Sequence, residues 1–118
     1  MVKRWEDAED YVRQILEKEF GMPFEKRVIH FGKLTKEFDA VSTNGEIVAM
    51  VKAFDKPYLE STSIQLKTRQ DRCIVDCAWL ARTTAKTKLL VFIGKGYAEW
   101  FKPYGEFLFP SVVIRRVS

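Results

Sequence analysis

The stretch Phe38 to Ala53, FDAVSTNGEIVAMVKA, constrains the fold more than any other part of the chain. Asn-Gly between two apolar runs is the strongest short hairpin signal, because both central residues of the tight turn take positive φ. A two-residue Asn44-Gly45 turn also sets the register. Thr43 then faces Glu46, Ser42 faces Ile47, Val41 faces Val48 and Ala40 faces Ala49; further out, Asp39 meets Met50, Phe38 meets Val51 and Glu37 meets Lys52. Side chains alternate between faces, so Glu37, Asp39, Val41, Val48, Met50 and Lys52 share one face. The other face, Phe38, Ala40, Ile47, Ala49, Val51 and Ala53, is wholly apolar and must be core. Lys52 therefore points away from that core, opposite Glu37 and diagonal to Asp39. Two readings stay open: a solvated cross-strand ion pair worth about 0.2–1 kcal/mol, or a site where two carboxylates and an ammonium converge.

The elements around this hairpin read as an alternation of helices and strands. Residues 4–20 form a helix whose apolar stripe is Trp5, Ala8, Val12, Ile15 and Leu16, stopped by Gly21 and Pro23. Glu9 falls in or beside that stripe, where an acid is unexpected; Glu6, Asp7 and Asp10 suit the positive end of the helix dipole. Strands follow at 26–32, 37–42 and 46–54, then a break at Pro57. Residues 61–85 form a long helix with Ser61 or Thr62 as N-cap and Ile64, Leu66, Ile74, Cys77, Ala78 and Ala81 in its apolar set. Residues 87–94 are a near-continuous apolar strand, as when both faces are covered. Residues 97–105 are a short helix or turn, and 107–117 close with a strand that Pro110 assigns to an edge. The whole is an α/β or α+β sandwich around a mixed sheet.

At 118 residues, 47% hydrophobic and 31% charged, the chain suits one domain spanning residues 1–118. Its longest apolar runs fall well short of a membrane span and its N-terminus has no signal region, so the expected setting is cytoplasmic. The charge is uneven. Residues 1–53 carry 9 Lys and Arg against 10 Asp and Glu, whereas 54–102 carry 9 against 5. The middle of the chain thus presents a basic surface compatible with a polyanion. Cys73 and Cys77, four apart on one helix face, read as reduced residues in or near the core.

Several features together resemble the PD-(D/E)XK nuclease superfamily, in the layout of archaeal Holliday-junction resolvases. They are AEDYVRQIL in the first helix, with Glu9 after a small residue; FDAV in the second strand; IVAMVKA where the family has an apolar strand ending in Glu-x-Lys; and a helix and apolar strand afterwards. The likeness spans about residues 5–101. It implies a restriction-endonuclease-like α-β-β-β-α-β core and metal-dependent hydrolysis of a phosphodiester bond in DNA, with Mg²⁺, or Mn²⁺, as cofactor. Carried over, Asp39 and Glu9 are the metal-binding acids, Val51 offers its backbone carbonyl and Lys52 lies near the attacking water and the phosphate. Met50 stands where the motif has its second acid, and a thioether does not replace a carboxylate on a hard cation. Three explanations follow. The site is dead and the fold persists as a nucleic-acid-binding, assembly or regulatory module, with a dimer through exposed aromatics as one form of it. Or Glu37, Gln65 or Gln70 supplies the missing oxygen. Or Glu9 and Asp39 hold a weaker metal whose shell waters complete.

Lys67, Arg69 and Arg72, on the helix after the motif strand, are candidates for phosphate contacts, with a solvated basic face as the alternative. Trp79, Trp100 and Phe101 read as core or partner surface, His30 as structural, and Gly94-Lys95-Gly96 as a turn, because it lacks the full phosphate-loop pattern.

Overall fold

The computed structural model describes residues 5–54 and 56–117, with side chains from Asp7 onward. The helix start expected at Arg4 and the side chains of Trp5 and Glu6 lie outside the described residues. The elements run α1 (Trp5–Phe20), β1 (Phe24–Phe31), β2 (Leu34–Ser42), β3 (Ile47–Lys52), a short 3₁₀ turn (Tyr58–Glu60), α2 (Ser63–Arg82), β4 (Thr87–Ile93), α3 (Tyr97–Leu108) and β5 (Val112–Val117). The five strands form one sheet in chain order. β1, β2 and β3 are an antiparallel meander; β4 and β5 continue it in parallel, through α2 and α3. The fold is thus α/β, with a mixed sheet. No described helix is long and apolar enough to cross a membrane.

Two cores sandwich the sheet. Ala8, Val12 and Leu16 of α1 pack on Ala40, Ile47, Ala49, Val51, Leu89 and Val91. Cys73, Cys77 and Leu80 of α2 and Phe101 of α3 pack on the opposite side, over Phe38, Val41, Val48, Met50, Leu90 and Phe92. The face that carries Val41, Val48 and Met50 is therefore core too, which corrects the expectation of one apolar and one open hairpin face. β3 is buried on both sides because parallel crossovers lay helices over the sheet. Burial pushes both cysteine thiols up to about 12, and the two remain free and inert.

The register at the turn is the one the sequence implies, Ala40 with Ala49 and Val41 with Val48, but the turn differs. Only Gly45 has positive φ, at 74°. Residues 43–46 loop out, Gly45 N–H donating to the Ser42 carbonyl at 2.9 Å. Asn44 acts through its side chain: Oδ1 accepts from the Glu46 amide at 3.0 Å and sits 2.8 Å from Ser42 Oγ. Ser42 Oγ in turn accepts the Ile47 amide at 3.0 Å. The meander is also longer than the sequence suggests, because Gly32, with φ of 64°, turns β1 back with Phe31 facing Leu34.

Other boundaries shift for local reasons. α2 begins after Thr62, which forms a capping box with Gln65. α3 runs on through Pro103 to Leu108. Gly105 allows it to lie close on β5, since a Cβ there would stand 2.8 Å from Ile114 Cδ1. Pro110 falls in the turn before β5, which is the sheet edge, as expected.

Candidate functional site

The regular ladder between β2 and β3 ends at Ala40 and Ala49. Beyond it, β1 advances two residues, Glu25 to Arg27, while β2 advances three, Val41 to Phe38. The extra residue is a bulge on β2. It rotates Phe38 to the α2 side, into the core with Val41 and Met50, and not onto the face of Ala40 and Val51 where an unbroken register would put it. It also carries Glu37 away from Lys52: the Glu37 carboxylate lies 4.0 Å from Lys26 Nζ. The expected Glu37–Lys52 pair is absent among the described residues, and Glu37 does not stand in for the missing acid there.

Asp39 occupies the break. Its Oδ2 accepts the Val51 amide at 2.8 Å, a side chain taking the place of a ladder carbonyl. Its own carbonyl accepts from Arg13 at 2.6 Å. Burial pushes the Asp39 carboxyl up to about 6; the Val51 amide opposes this, Glu9 and Asp76 add to it, and Lys52 opposes it. Asp39 thus feels the charges of α1, α2 and β3 together.

On the α1 side lies Glu9, its side chain 12% exposed, with Lys26 Nζ 2.8 Å and Arg13 3.8 Å from Oε1. Contact with Glu9, and its charge, hold Lys26 above the usual lysine range. Oε1 itself is enclosed, with the Lys26 ammonium as its close contact. On the α2 side, Lys52 forms an ion pair with Asp76, the two side chains 14% and 13% exposed. A pocket of about 340 Å³ opens beside them, lined by Lys52, Asp71, Arg72, Val75 and Asp76. Sequence reasoning missed Asp76, though a signal existed. It lies three residues after Cys73 and four before Leu80, an acid within the buried stripe of α2, the same anomaly that singled out Glu9.

The remaining candidates divide. Gln65 is spent on the helix cap, its Oε1 accepting the Thr62 amide at 2.9 Å. Gln70, half-buried on α2, makes no described hydrogen bond to the acids or to Lys52. Lys67 and Arg72 are exposed on α2, as a phosphate-facing helix requires. Arg69 turns inward: its guanidinium lies 4.8 Å from the Phe54 ring and 5.5 Å from the Tyr97 ring, and it donates to Tyr97 Oη at 2.6 Å and Ser61 Oγ at 2.7 Å. Tyr97 Oη also donates to the Lys56 carbonyl at 2.7 Å. This cluster ties Phe54 and Lys56 to α2 and α3. Phe101 is buried, the Trp79 ring lies tilted against Phe31 with centroids 5.4 Å apart, and Trp100 packs among Tyr58, Tyr97 and Phe101. Gly96, N-cap of α3, gives its amide to Glu99 at 2.9 Å, a turn and cap.

Among the described residues, no three His, Cys, Asp or Glu side chains gather so as to hold a metal. Glu9 Oε1 is enclosed but already faces the Lys26 ammonium at 2.8 Å, so a hard cation of the Mg²⁺ type held by Glu9 and Asp39 would have to displace Lys26. Compared with known proteins, the chain matches no family model, no curated sequence and no solved structure.

Proposed function

We propose that the chain is a divalent-metal-dependent nuclease of restriction-endonuclease-like layout, hydrolysing phosphodiester bonds in DNA. One observation carries this reading: where the β2–β3 ladder opens, the Asp39 carboxylate of β2 accepts the Val51 amide, next to Lys52 on β3, and the Asp39 carbonyl accepts from Arg13, which lies 3.8 Å from Glu9 on α1. Support comes also from the order of elements, helix, three-strand meander, helix and a strand parallel to β3, which is the order the resemblance calls for. Glu9 and Asp39 would hold Mg²⁺ or Mn²⁺, beside the Val51 backbone that Asp39 already grips. Bound there, the ion supplies a Lewis acid for the phosphate and a water ionised near neutral pH. Lys52 would orient a water near the phosphate and offset the phosphate's charge. Lys26, Lys67 and Arg72 draw the polyanion in, which gives a binding strength that falls steeply with salt and shows little base preference.

The test incubates plasmid, single-stranded and branched DNA with the wild-type protein, Asp39→Ala and Lys52→Ala, in Mg²⁺ or Mn²⁺. Cleavage by wild type alone is the expected result. Cleavage that survives both substitutions is a contaminant and removes the support. A wild type that is inert yet binds DNA in a salt-sensitive manner leaves a non-catalytic nucleic-acid module.

A further inference from the structure

Between the tip of the β1–β2 hairpin and α2 lies a strip of apolar side chains that the core absorbs only in part. Leu34, at the tip, is 63% exposed and faces Phe31 across the turn. The half-buried Phe31 ring lies 5.4 Å from that of Trp79, also half-buried. Val75, one helical turn before Trp79, is 54% exposed. Val75 and Arg72 in turn line the pocket that holds Lys52. The strip therefore leads from the hairpin tip to the lysine of the proposed site. Its flanks are basic. Lys36 Nζ stands 6.0 Å from the Trp79 ring, and Lys33 and Arg72 are exposed towards the two ends. Of the acids that line the pocket, Asp76 is paired with Lys52, and Asp71 stands exposed next to Arg72 in the chain.

We infer that this strip is a track for an unpaired DNA strand, with a base stacked on Trp79 and the backbone carried along Lys36 and Arg72 towards Lys52. This rests on the nuclease reading, whose site the track feeds, and it names the form of DNA received: a single strand or an unpaired arm. Rings and aliphatic groups bordered by cations fit a ligand that joins flat apolar faces to anionic links. A duplex offers half of that, because its phosphates face outward while its bases are stacked inside. An unpaired strand offers both. Each free base has a π face for the indole, and each phosphate can meet an ammonium or a guanidinium. A protein partner would use the apolar strip, but the cations along its flanks favour a polyanion.

Fluorescence anisotropy of fluorescein-labelled oligothymidine with the full chain, in EDTA so that no cleavage intervenes, tests the track apart from the chemistry. Wild type is expected to bind oligothymidine more tightly than a duplex of equal length. Trp79→Ala should weaken that binding by roughly fivefold or more, the scale of one base–aromatic stack. Lys36→Gln should lower the slope of log affinity against log salt by about 0.7, one phosphate contact on a single strand. Trp79→Phe keeps a ring against Phe31 and should lose most of the quenching of tryptophan emission that oligothymidine causes in wild type. Should Trp79→Ala fail to fold, Leu34→Glu and Val75→Glu decide, since both side chains are exposed and each carboxylate would repel the strand several-fold. Duplex bound as tightly as oligothymidine, quenching undiminished in Trp79→Phe, or affinity unchanged in Trp79→Ala or in both glutamate variants overturns the track, even where wild type cleaves DNA. No binding of oligothymidine by wild type overturns it too, and assigns the strip to a protein partner. Binding through Trp79 by a chain that cleaves no DNA in Mg²⁺ or Mn²⁺ upholds the track and sinks the nuclease reading alone.

Discussion

The two ends of the β2–β3 hairpin are built on opposite terms. At the turn end, Ala40, Val41, Val48 and Ala49 pair in register, all buried, and Ser42 and Asn44 satisfy the loop amides. At the open end the ladder stops, a carboxylate replaces a backbone acceptor, and charged pairs flank the break, Glu9 with Lys26 on the α1 side and Lys52 with Asp76 on the α2 side. The closed end draws stability from area removed from water on both faces. At the open end the charges are paired with each other, Glu9 with Lys26 and Lys52 with Asp76. Stability and candidate chemistry occupy one hairpin because the bulge at Asp39 separates them.

The largest effect is expected from putting the chemistry of the open end into the closed one. Val48→Asp places a carboxylate in the buried layer under α2, where its β4 neighbour Lys88 already donates to the Ala81 carbonyl at 3.0 Å. The cost should exceed about 4 kcal/mol and abolish cooperative unfolding in urea. A folded Val48→Asp protein with an unchanged urea midpoint would mean that the closed end is not part of the core.

The next effect belongs to the open end. Lys52→Ala leaves Asp76 inside a helix stripe without its partner, at a cost of about 3 kcal/mol by thermal and urea unfolding. Lys52→Met with Asp76→Leu should recover most of it, since two apolar groups replace both charges. Equal loss in the single and double variants would show that packing, and not the pairing, holds this end together.

A smaller, pH-dependent effect separates the ends further. Asp39 titrates at about 6 in the fold against an ordinary 3.8, so the native state keeps its proton longer than the unfolded chain. Below pH 4 both states are protonated and Asp39 costs nothing. Between pH 4 and 6 the unfolded chain ionises first, and stability falls as pH rises; above pH 6 the penalty levels off near 3 kcal/mol. Asp39→Asn keeps an oxygen for the Val51 amide and removes the titration. It should match wild type at pH 4 and be the more stable by up to about 3 kcal/mol at pH 7.5. A difference independent of pH would place the ionisation elsewhere.

The sequence and the structure agree most where the pattern is apolar. The registration of Val41 on Val48, the stripe of α1 and the buried run of β4 are all set by alternation or helical spacing, which burial enforces. Glu9 and Asp76 were equally legible in principle, each an acid inside a buried stripe. The bulge was not. An Asp within an apolar strand is disfavoured there and hints at a break, but which strand takes the extra residue depends on how β1 packs against β2 across the sheet. The inward turn of Arg69 is likewise invisible locally, because Phe54 and Tyr97, which hold it, come from different parts of the chain. α3 extends through Pro103 against propensity, helped by packing of Phe101 and by the close approach of Gly105 to Ile114.

The smallest expected effect returns to the closed end and asks what sets its register. The Asn-Gly turn that first suggested the hairpin contributes through the Asn44 side chain, with only Gly45 at positive φ. Asn44→Ala removes the acceptor of the Glu46 amide and a partner of Ser42 Oγ in an exposed loop, so the cost should be about 1 kcal/mol by urea unfolding. Ser42 Oγ still accepts the Ile47 amide, and Gly45 keeps the chain reversal. A slip of one residue would turn Val41, Val48 and every neighbour to the wrong layer, at a cost many times larger than any turn preference. The cross-strand nuclear Overhauser contacts between Ala40 and Ala49 should therefore persist in Asn44→Ala. If they vanish while the protein stays folded, the turn and not the two cores dictates the pairing, and the bulge at Asp39 would have to be read as a consequence of turn geometry instead of the layers on either side.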